Sequence, residues 1–293
     1  MVKQGERWID VSVYLIALGV FVITLYPVLF VFFVSVSTPK AVFFNKILLI
    51  PDTIQFESYI QVLKKGELWR YYYNTVWIVV IGTTINLVTT ILSAYVLSRR
   101  DFKLRNYLMA FIVFTMFFSG GLIPFFIIVK RLGLINTRWA LVIPFSLSAW
   151  NVIIARTFIQ SAIPEELHDA ALIDGASKLQ TLLRIVTPLS KPILAVIALW
   201  CAVGFWNSYF WALIFVPDNS KQPIQIFLMR LLVYGYIQEL RTVSENLNIA
   251  KQGGMAEQMK YTVIILTILP ILAIYPFLQK YFIKGVMIGA LKG

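Results

Sequence analysis

Apolar and polar segments alternate along the chain with a long period. Six apolar stretches are separated by polar or charged connections. A helix needs about 20 successive apolar residues to cross the hydrocarbon core of a bilayer. The pattern therefore predicts an all-α integral membrane protein, with six transmembrane helices in one domain that covers residues 1–293. The predicted spans are approximately 13–36, 74–97, 107–129, 139–159, 193–216 and 261–282.

The first apolar run is too long to be the core of a signal peptide. Such a core has about 7–15 apolar residues and is followed by a small-residue cleavage site. The run from Val11 to Pro39 carries no charge and no such site. We therefore predict that the first span is not cleaved.

The connection between the fourth and fifth spans is polar but has a helical pattern of its own. Pro164 suits the first position of a helix, where its missing N–H would have no partner anyway. Leu167, Ala170 and Ala171 follow at positions that share one helical face. Gly175 stands where this helix would end, and glycine adopts a left-handed conformation without steric cost. These residues predict a short helix followed by a glycine turn.

A second short helix is predicted directly after the turn. Ser177 and Gln180 have the spacing of a capping box, which satisfies two backbone N–H groups at a helix start. The apolar stripe of this helix comprises Leu179, Leu182, Leu183 and Val186. Pro188 is predicted to stop it, because proline disrupts the helical hydrogen bonds. Residues 163–190 are therefore predicted to form a helix-turn-helix hairpin between two spans.

Composition supports the membrane assignment and excludes several kinds of chemistry. Hydrophobic residues make up 59% of the chain and charged residues only 14%, against about 45–50% and 25% in soluble domains. One cysteine, Cys201, excludes a disulfide framework, and one histidine, His168, excludes a histidine-cluster metal site. The net charge of +12 is better explained by basic loops that face anionic lipid than by nucleic acid binding.

The motifs of an ATPase or a hydrolase do not occur in the sequence. No G-x-x-x-x-G-K-[ST] is present, so the chain has no P-loop. H-E-x-x-H and G-x-S-x-G are also missing. The central part of each predicted span carries no charged residue, whereas proton-coupled carriers and pumps usually need one. The energy for any transport is therefore expected to come from a partner.

The hairpin resembles the EAA loop of permease subunits in bacterial ABC importers. That motif has the pattern E-A-A, three residues, G, and later I and P; the matching positions are Asp169, Ala170, Ala171, Gly175, Ile185 and Pro188. Asp169 replaces the usual glutamate, which keeps the charge but shortens its reach. The resemblance implies the type I importer permease fold and a hairpin that docks into a cleft on a cytoplasmic ATPase. The coupling residues it implies are Glu165, Glu166, Asp169, Ala170, Ala171, Asp174, Gly175, Ile185 and Pro188.

Further stretches are similar to maltose-type and lipoprotein-associated sugar permeases. They are residues 119–124, 132–134, 139–142, 205–208 and 284–290. The resemblance implies a second homologous permease, two ATP-binding subunits and an extracytoplasmic solute-binding protein as partners. It implies no cofactor in this chain, with ATP and Mg on the partner subunits. The chain is also similar to the smaller permeases of alginate importers, which implies an acidic oligosaccharide.

A sugar path needs hydrogen-bonding groups and flat aromatic faces. The candidates are Asn86, Asn151, Trp206, Asn207 and Tyr209, all within predicted spans. An interhelical hydrogen bond is the alternative role for the two mid-span asparagines. Packing or an interfacial aromatic belt is the alternative for the aromatic residues.

Charge counts do not orient the chain, but the resemblance does. Cytoplasmic termini would put thirteen Lys and Arg inside and thirteen outside, so the positive-inside rule decides nothing in total. The basic cluster after the second span favours a cytoplasmic location for that loop. A cytoplasmic hairpin implies cytoplasmic termini in the bacterial inner membrane, with residues 37–73 and 217–260 outside. The segment 217–260 is expected to face the binding protein.

The sequence thus predicts a translocation subunit of an oligosaccharide importer rather than an enzyme. A stand-alone secondary carrier or channel for a small polar solute is the main alternative, and a membrane-embedded enzyme is another. The charge-free spans disfavour a carrier, and the missing acid, base and metal constellations disfavour an enzyme. For the hairpin alone, the alternative is an amphipathic element lying on the membrane surface.

Overall fold

The computed structural model describes residues 4–44, 50–51, 53–64, 66–242, 254–255 and 257–274. Every regular element in these ranges is helical, in agreement with the predicted all-α class. The end of the sixth predicted span and the motif at 284–290 lie outside the described residues.

Fourteen α-helices form the described part of the chain. They are α1 Gln4–Val36, α2 Pro39–Phe43, α3 Glu57–Lys64, α4 Gly66–Ser98, α5 Arg105–Phe117, α6 Leu122–Arg131, α7 Ala149–Ala162, α8 Glu165–Ile173, α9 Lys178–Thr181, α10 Thr187–Leu189, α11 Lys191–Trp206, α12 Tyr209–Phe215, α13 Ile224–Thr242 and α14 Glu257–Ile274. Two 3₁₀ turns, Arg138–Leu141 and Ile143–Phe145, precede α7, and a π-helical segment, Leu182–Val186, joins α9 to α10.

Three of these helices are long and apolar enough to cross a membrane: α1, α4 and α14. Three further candidates are bent pairs of shorter helices, so the total reaches six if each pair is one span. The bend is 117° between α5 and α6, 46° between Arg138–Phe145 and α7, and 79° between Lys178–Leu189 and α11. The number of spans therefore stays a prediction.

The break between α5 and α6 has a local cause. Phe118 is extended, and Gly121 has φ +80° and ψ 176° immediately before α6 begins. Only glycine adopts that backbone conformation readily. The third predicted span, 107–129, is thus two helices rather than one continuous helix.

The described residues belong to two compact units, which are residues 1–68 with 228–270 and residues 69–227 with 271–293. In the first unit, α14 is fastened to the end of α1. The side-chain amide of Gln258 donates hydrogen bonds to the carbonyls of Ser35 and Ser37, at 3.2 and 2.6 Å. The most apolar 18-residue stretch of α1 has no side chain buried within the described structure.

The core of the second unit is formed by α4, α7 and α11. Ile78 and Ala94 from α4, Ala155 from α7 and Ile197 from α11 are fully buried in it. Gly82 allows a close approach between α4 and α11, because a Cβ atom there would lie 2.7–2.9 Å from three ring atoms of Phe205. This unit holds both parts of the candidate site.

Candidate coupling hairpin and translocation pocket

The hairpin has the helix, glycine turn and helix that the sequence predicts. The first helix, α8, ends in a Schellman motif. The N–H of Ala176 donates to the carbonyl of Ala171, and the N–H of Gly175 donates to that of Leu172. Gly175 has φ +72°. Pro164 lies one position earlier than predicted, as the N-cap with φ −60° and ψ 147°.

The second helix begins with the predicted capping box. The Ser177 hydroxyl accepts from the N–H of Gln180 at 3.3 Å, and the Gln180 side chain accepts from the N–H of Ser177 at 2.8 Å. Pro188 does not stop the helix where predicted, since α10 continues to Leu189. A proline ring would clash with the carbonyl four residues earlier in an α-helix. The wider π-helical turn at Leu182–Val186 avoids this clash and precedes the bend into α11.

The apolar faces of the hairpin differ from those predicted. In α8 the buried residues are His168 and Ala171, while Leu167 is exposed. In the second helix Leu182 and Val186 are buried, but Leu179 and Leu183 are each 59% exposed. Exposed apolar residues therefore occur on both helices, and Ile173 at the end of α8 is 87% exposed. Such a group of exposed apolar side chains on a polar hairpin is typical of a surface that binds another protein or a membrane.

The predicted coupling residues are mostly accessible. Glu166, Asp169, Ala170, Asp174, Gly175 and Pro188 are exposed, Glu165 and Ile185 are half-buried, and Ala171 is buried. Glu165 forms an ion pair with Arg100, with its Oε2 2.8 Å from the arginine Nε. These residues therefore lie together on the surface of the hairpin, except for Ala171, which is buried.

His168 is a buried residue whose packing role the sequence does not reveal. It is 6% exposed, and its ring centroid lies 5.9 Å from that of Tyr95 on α4. Burial and, secondarily, the charge of Arg99 lower the pKa of His168, against smaller opposing effects of Glu165, Asp169 and Asp101. The imidazole is therefore neutral at neutral pH and packs the hairpin against the second unit's core.

The turn between α4 and α5, residues 99–104, lies beside the hairpin. Asp101 is 3.1 Å from Nζ of Lys178 and 3.2 Å from Nε of Arg99. The hydrogen bond from Lys178, with a smaller contribution from Arg99, lowers the pKa of Asp101 against the effect of desolvation. The basic turn and the hairpin therefore share one side of the second unit.

A pocket of about 360 Å³ lies between α4, α7 and α11. Its lining residues are Asn86, Leu141, Phe145, Ser148, Asn151, Trp200, Cys201, Gly204, Phe205, Ser208 and Trp211. These side chains supply aromatic faces and neutral hydrogen-bonding groups, and none of them carries a charge. A mostly apolar wall with a few polar groups is the usual character of a small-molecule site.

Asn86 and Asn151 line this pocket and also bind each other. The Asn151 amide donates to Oδ1 of Asn86 at 3.1 Å, and the Cys201 thiol donates to the same oxygen at 3.2 Å. The Asn86 amide donates to the carbonyl of Phe145 at 3.1 Å. The interhelical hydrogen bond that was the alternative role therefore exists, and it joins α4, α7 and α11 at the pocket wall.

The other three predicted path residues are not among the lining residues. Trp206 is buried and its ring lies 6.4 Å from that of Tyr72. Asn207 is the C-cap of α11, and its amide donates to the carbonyl of Val203 at 3.0 Å. Tyr209 is the first residue of α12 and is exposed. The lining residues Trp200, Gly204 and Ser208 recur at intervals of four, a helical period that indicates one shared face.

The chain is similar to known membrane components of bacterial transport systems. Residues 86–288 match the family described as binding-protein-dependent transport system inner membrane component. LplC of Bacillus subtilis (strain 168) is 38% identical over 99% of this chain and 97% of its own length. YtcP of the same organism, a polygalacturonan/rhamnogalacturonan transport system permease protein, is 37% identical over 98% and 99%.

Solved structures agree with this class. One chain from a bacterial ABC transporter that imports the acidic polysaccharide alginate has a TM-score of 0.84 and 33% identity. The match covers 96% of this chain and 99% of that one. A second alginate transporter chain, from a complex with an alginate pentasaccharide-bound periplasmic protein, has a TM-score of 0.58 at 15% identity and shares the fold.

The protein is thus a membrane component of a binding-protein-dependent transport system. It belongs to the family of inner membrane components that the matching profile defines. The resemblance inferred from the EAA-like hairpin, the type I permease fold and the location in the inner membrane are confirmed. Because members of this family are translocation subunits, the expectation that the chain is not an enzyme is also confirmed.

Proposed function

We propose that this chain is one permease subunit of an ATP-driven importer for an acidic oligosaccharide, such as a fragment of alginate. It takes the sugar from an extracytoplasmic binding protein and releases it into the cytoplasm. A second homologous permease completes the path through the membrane. Two ATP-binding subunits, which hold ATP and Mg, supply the energy.

The observation that carries this proposal is the hairpin at 163–190. Its exposed apolar residues lie on both helices, and its exposed carboxylates lie on the first. In a family of binding-protein-dependent transport components, a surface of this kind suits an ATPase that grips the hairpin. Closure of the ATPase dimer then rocks the spans between inward-facing and outward-facing states. In this proposal the hairpin and both termini lie in the cytoplasm.

The pocket at Asn86 and Asn151 supports a sugar as the transported solute. Trp200 and Trp211 offer flat faces that can stack on the apolar side of a sugar ring. Ser148 and Ser208 offer hydroxyls that can bond with those of the sugar. Because the lining carries no charge, this pocket would recognise rings and hydroxyls, and the carboxylates of an acidic sugar would be recognised elsewhere in the importer.

Acidity of the sugar is supported by the relatives. YtcP is named for polygalacturonan and rhamnogalacturonan transport, and the structural relative at 33% identity takes part in the import of alginate. The arabinooligosaccharide permease AraQ of Halalkalibacterium halodurans is less similar, at 29% identity. The proposed substrate therefore has uronic acid residues.

The test is sugar-stimulated ATP hydrolysis by the complete importer in proteoliposomes. Alginate and galacturonate oligosaccharides, each with the cognate binding protein, are compared with neutral maltooligosaccharides of equal length. We expect stimulation by the acidic sugars and little by the neutral ones. Stimulation by neutral sugars alone would exclude the acidic substrate, and sugar uptake by the chain without ATPase subunits would favour the secondary carrier instead.

A further inference from the structure

The turn at residues 99–104 contacts both helices of the hairpin. Nε of Arg100 lies 2.8 Å from Oε2 of Glu165, in the first turn of α8. Oδ2 of Asp101 lies 3.1 Å from Nζ of Lys178, at the start of α9. One short turn therefore holds two elements that are separated in sequence by the glycine turn.

The same region is fastened to the end of α7. Nε of Arg156 donates to the carbonyl of Leu97 at 2.9 Å, and the amide of Gln160 donates to that of Ser98 at 3.3 Å. Both carbonyls belong to the last turn of α4, where carbonyl groups have no hydrogen-bond partners within the helix. Only two residues separate α7 from α8. The end of α4 is therefore connected to the hairpin at three places: through Glu165, through Lys178 and through α7.

Burial strengthens this connection beyond the two ion pairs. Arg100 and Lys178 are largely exposed, so neither ion pair alone contributes much. The buried ring of His168 packs on Tyr95, one turn before the end of α4. The ion pairs fix the orientation of the hairpin, and the packing of His168 holds it against α4.

We propose that the turn at 99–104 is a second coupling element, which moves with the hairpin as one body and passes its displacement to α4. Asp101 and Arg100 are positioning residues in this scheme, because they act through the hairpin and not on the sugar. The inference rests on the coupling role of the hairpin proposed above. It adds a route from that hairpin to the pocket.

The route is a continuous helix. Asn86 and Ser98 are both in α4 and are 12 residues apart, a rise of about 18 Å at 1.5 Å per residue. Asn86 holds Asn151 and Cys201 at the pocket wall. A displacement of the hairpin that tilts or shifts α4 would therefore move one of the three groups in this network relative to the others, which changes the shape of the pocket.

Cross-linking tests whether the turn and the hairpin move together. Asp101→Cys and Lys178→Cys are combined in the complete importer, and a short bismaleimide joins the two thiols. Each single variant treated in the same way controls for reaction with the buried native Cys201. We expect the cross-linked importer to keep the transport rate of the untreated double variant. Loss of transport on cross-linking alone would show relative motion and overturn the proposal.

Charge reversal tests whether the contact transmits the motion. Asp101→Lys should raise the ATP hydrolysed per sugar about twofold to fivefold, the range that loss of one exposed ion pair brings to an equilibrium. Adding Lys178→Asp should restore much of the wild-type ratio. Lys103→Glu, an exposed position of the same turn, is the matched control. An unchanged ratio in Asp101→Lys would overturn the transmission role.

The two proposals fail in different ways. If the wild-type chain does not couple ATP hydrolysis to sugar, the coupling role of the hairpin fails and the turn has nothing to transmit. If the wild type couples and Asp101→Lys binds the ATPase subunits normally but couples equally well, only the inference about the turn fails. The coupling ratio of the wild type distinguishes these outcomes, and ATPase retention on the affinity-purified importer shows whether the variant assembles normally.

Discussion

Gly175 shows how one backbone angle determines the shape of the hairpin. Its φ of +72° reverses the chain between α8 and α9, and a Cβ there would meet no atom within 4 Å. A substitution would therefore act through backbone strain rather than through a clash. This separates Gly175 from positions where glycine is needed for space.

We expect Gly175→Val to uncouple ATP hydrolysis from uptake. A residue with a Cβ pays about 1–2 kcal/mol in the left-handed region, which shifts the hairpin equilibrium roughly 5–30-fold away from this conformation. Asparagine tolerates that region, so Gly175→Asn is the matched control. ATP hydrolysis and sugar uptake are measured together in proteoliposomes. Equal coupling in the valine and asparagine variants would contradict a role for this conformation.

Asn86 and Asn151 illustrate a limit of residue-by-residue reasoning. Their hydrogen-bonding groups in apolar spans predicted either a solute site or a helix contact, and the structure shows a helix contact that also forms part of a pocket wall. A residue type alone cannot separate these roles, because an amide has several donors and acceptors. The partners become known only when α4, α7 and α11 are packed together.

At the scale of elements, the contact between α4 and α11 depends on Gly82. The Phe205 ring occupies the space where a side chain at position 82 would lie. A glycine inside a helix costs up to about 1 kcal/mol relative to alanine, and here it allows the close packing of the two helices. Phe205 also lines the pocket, which links this packing to the proposed sugar site.

Gly82→Ala should therefore destabilise the chain in detergent. Overpacking of this kind costs about 1–3 kcal/mol, and we expect a lower Tm by tryptophan fluorescence. Gly19→Ala is the control, because no atom lies within 4 Å of a Cβ at that position. Shortening the opposing side chain in the double variant Gly82→Ala and Phe205→Leu should recover part of the loss. A Tm as high as that of Gly19→Ala would refute the close-contact argument.

The elements differ in how far the sequence predicts them. The hairpin was predicted well because its determinants are local: Gly175 and the capping box at Ser177 act within a few residues. The sequence did not predict the 117° break between α5 and α6. Both helices are apolar, and hydropathy carries no information about the direction of a helix axis. The buried face of the second hairpin helix was half wrong, since Leu179 and Leu183 are exposed. Which face is buried depends on tertiary neighbours and on the π-helical turn that Pro188 requires.

At the scale of the whole molecule, exposed apolar side chains occur in two settings. In α1 they belong to a long apolar helix suited to lipid or to another membrane subunit, as Ile23 does at 73% exposed. In the hairpin they lie among carboxylates, as Ile173 does. A lipid-facing surface would not carry those carboxylates, because charged groups are costly in hydrocarbon. The hairpin is therefore the surface suited to a water-soluble partner.

Purification in mild detergent from the source membrane tests whether the hairpin, and not α1, binds a water-soluble partner. We expect the wild-type chain to retain a P-loop ATPase and a second, homologous permease. Ile173→Asp should lose most of the ATPase but keep the second permease, because it places a charge only on the hairpin. Ile23→Val, a conservative change in α1, is the control and should keep both. Should the wild-type chain emerge alone under conditions that preserve a known ABC complex, the hairpin would be better explained as an amphipathic element on the membrane surface.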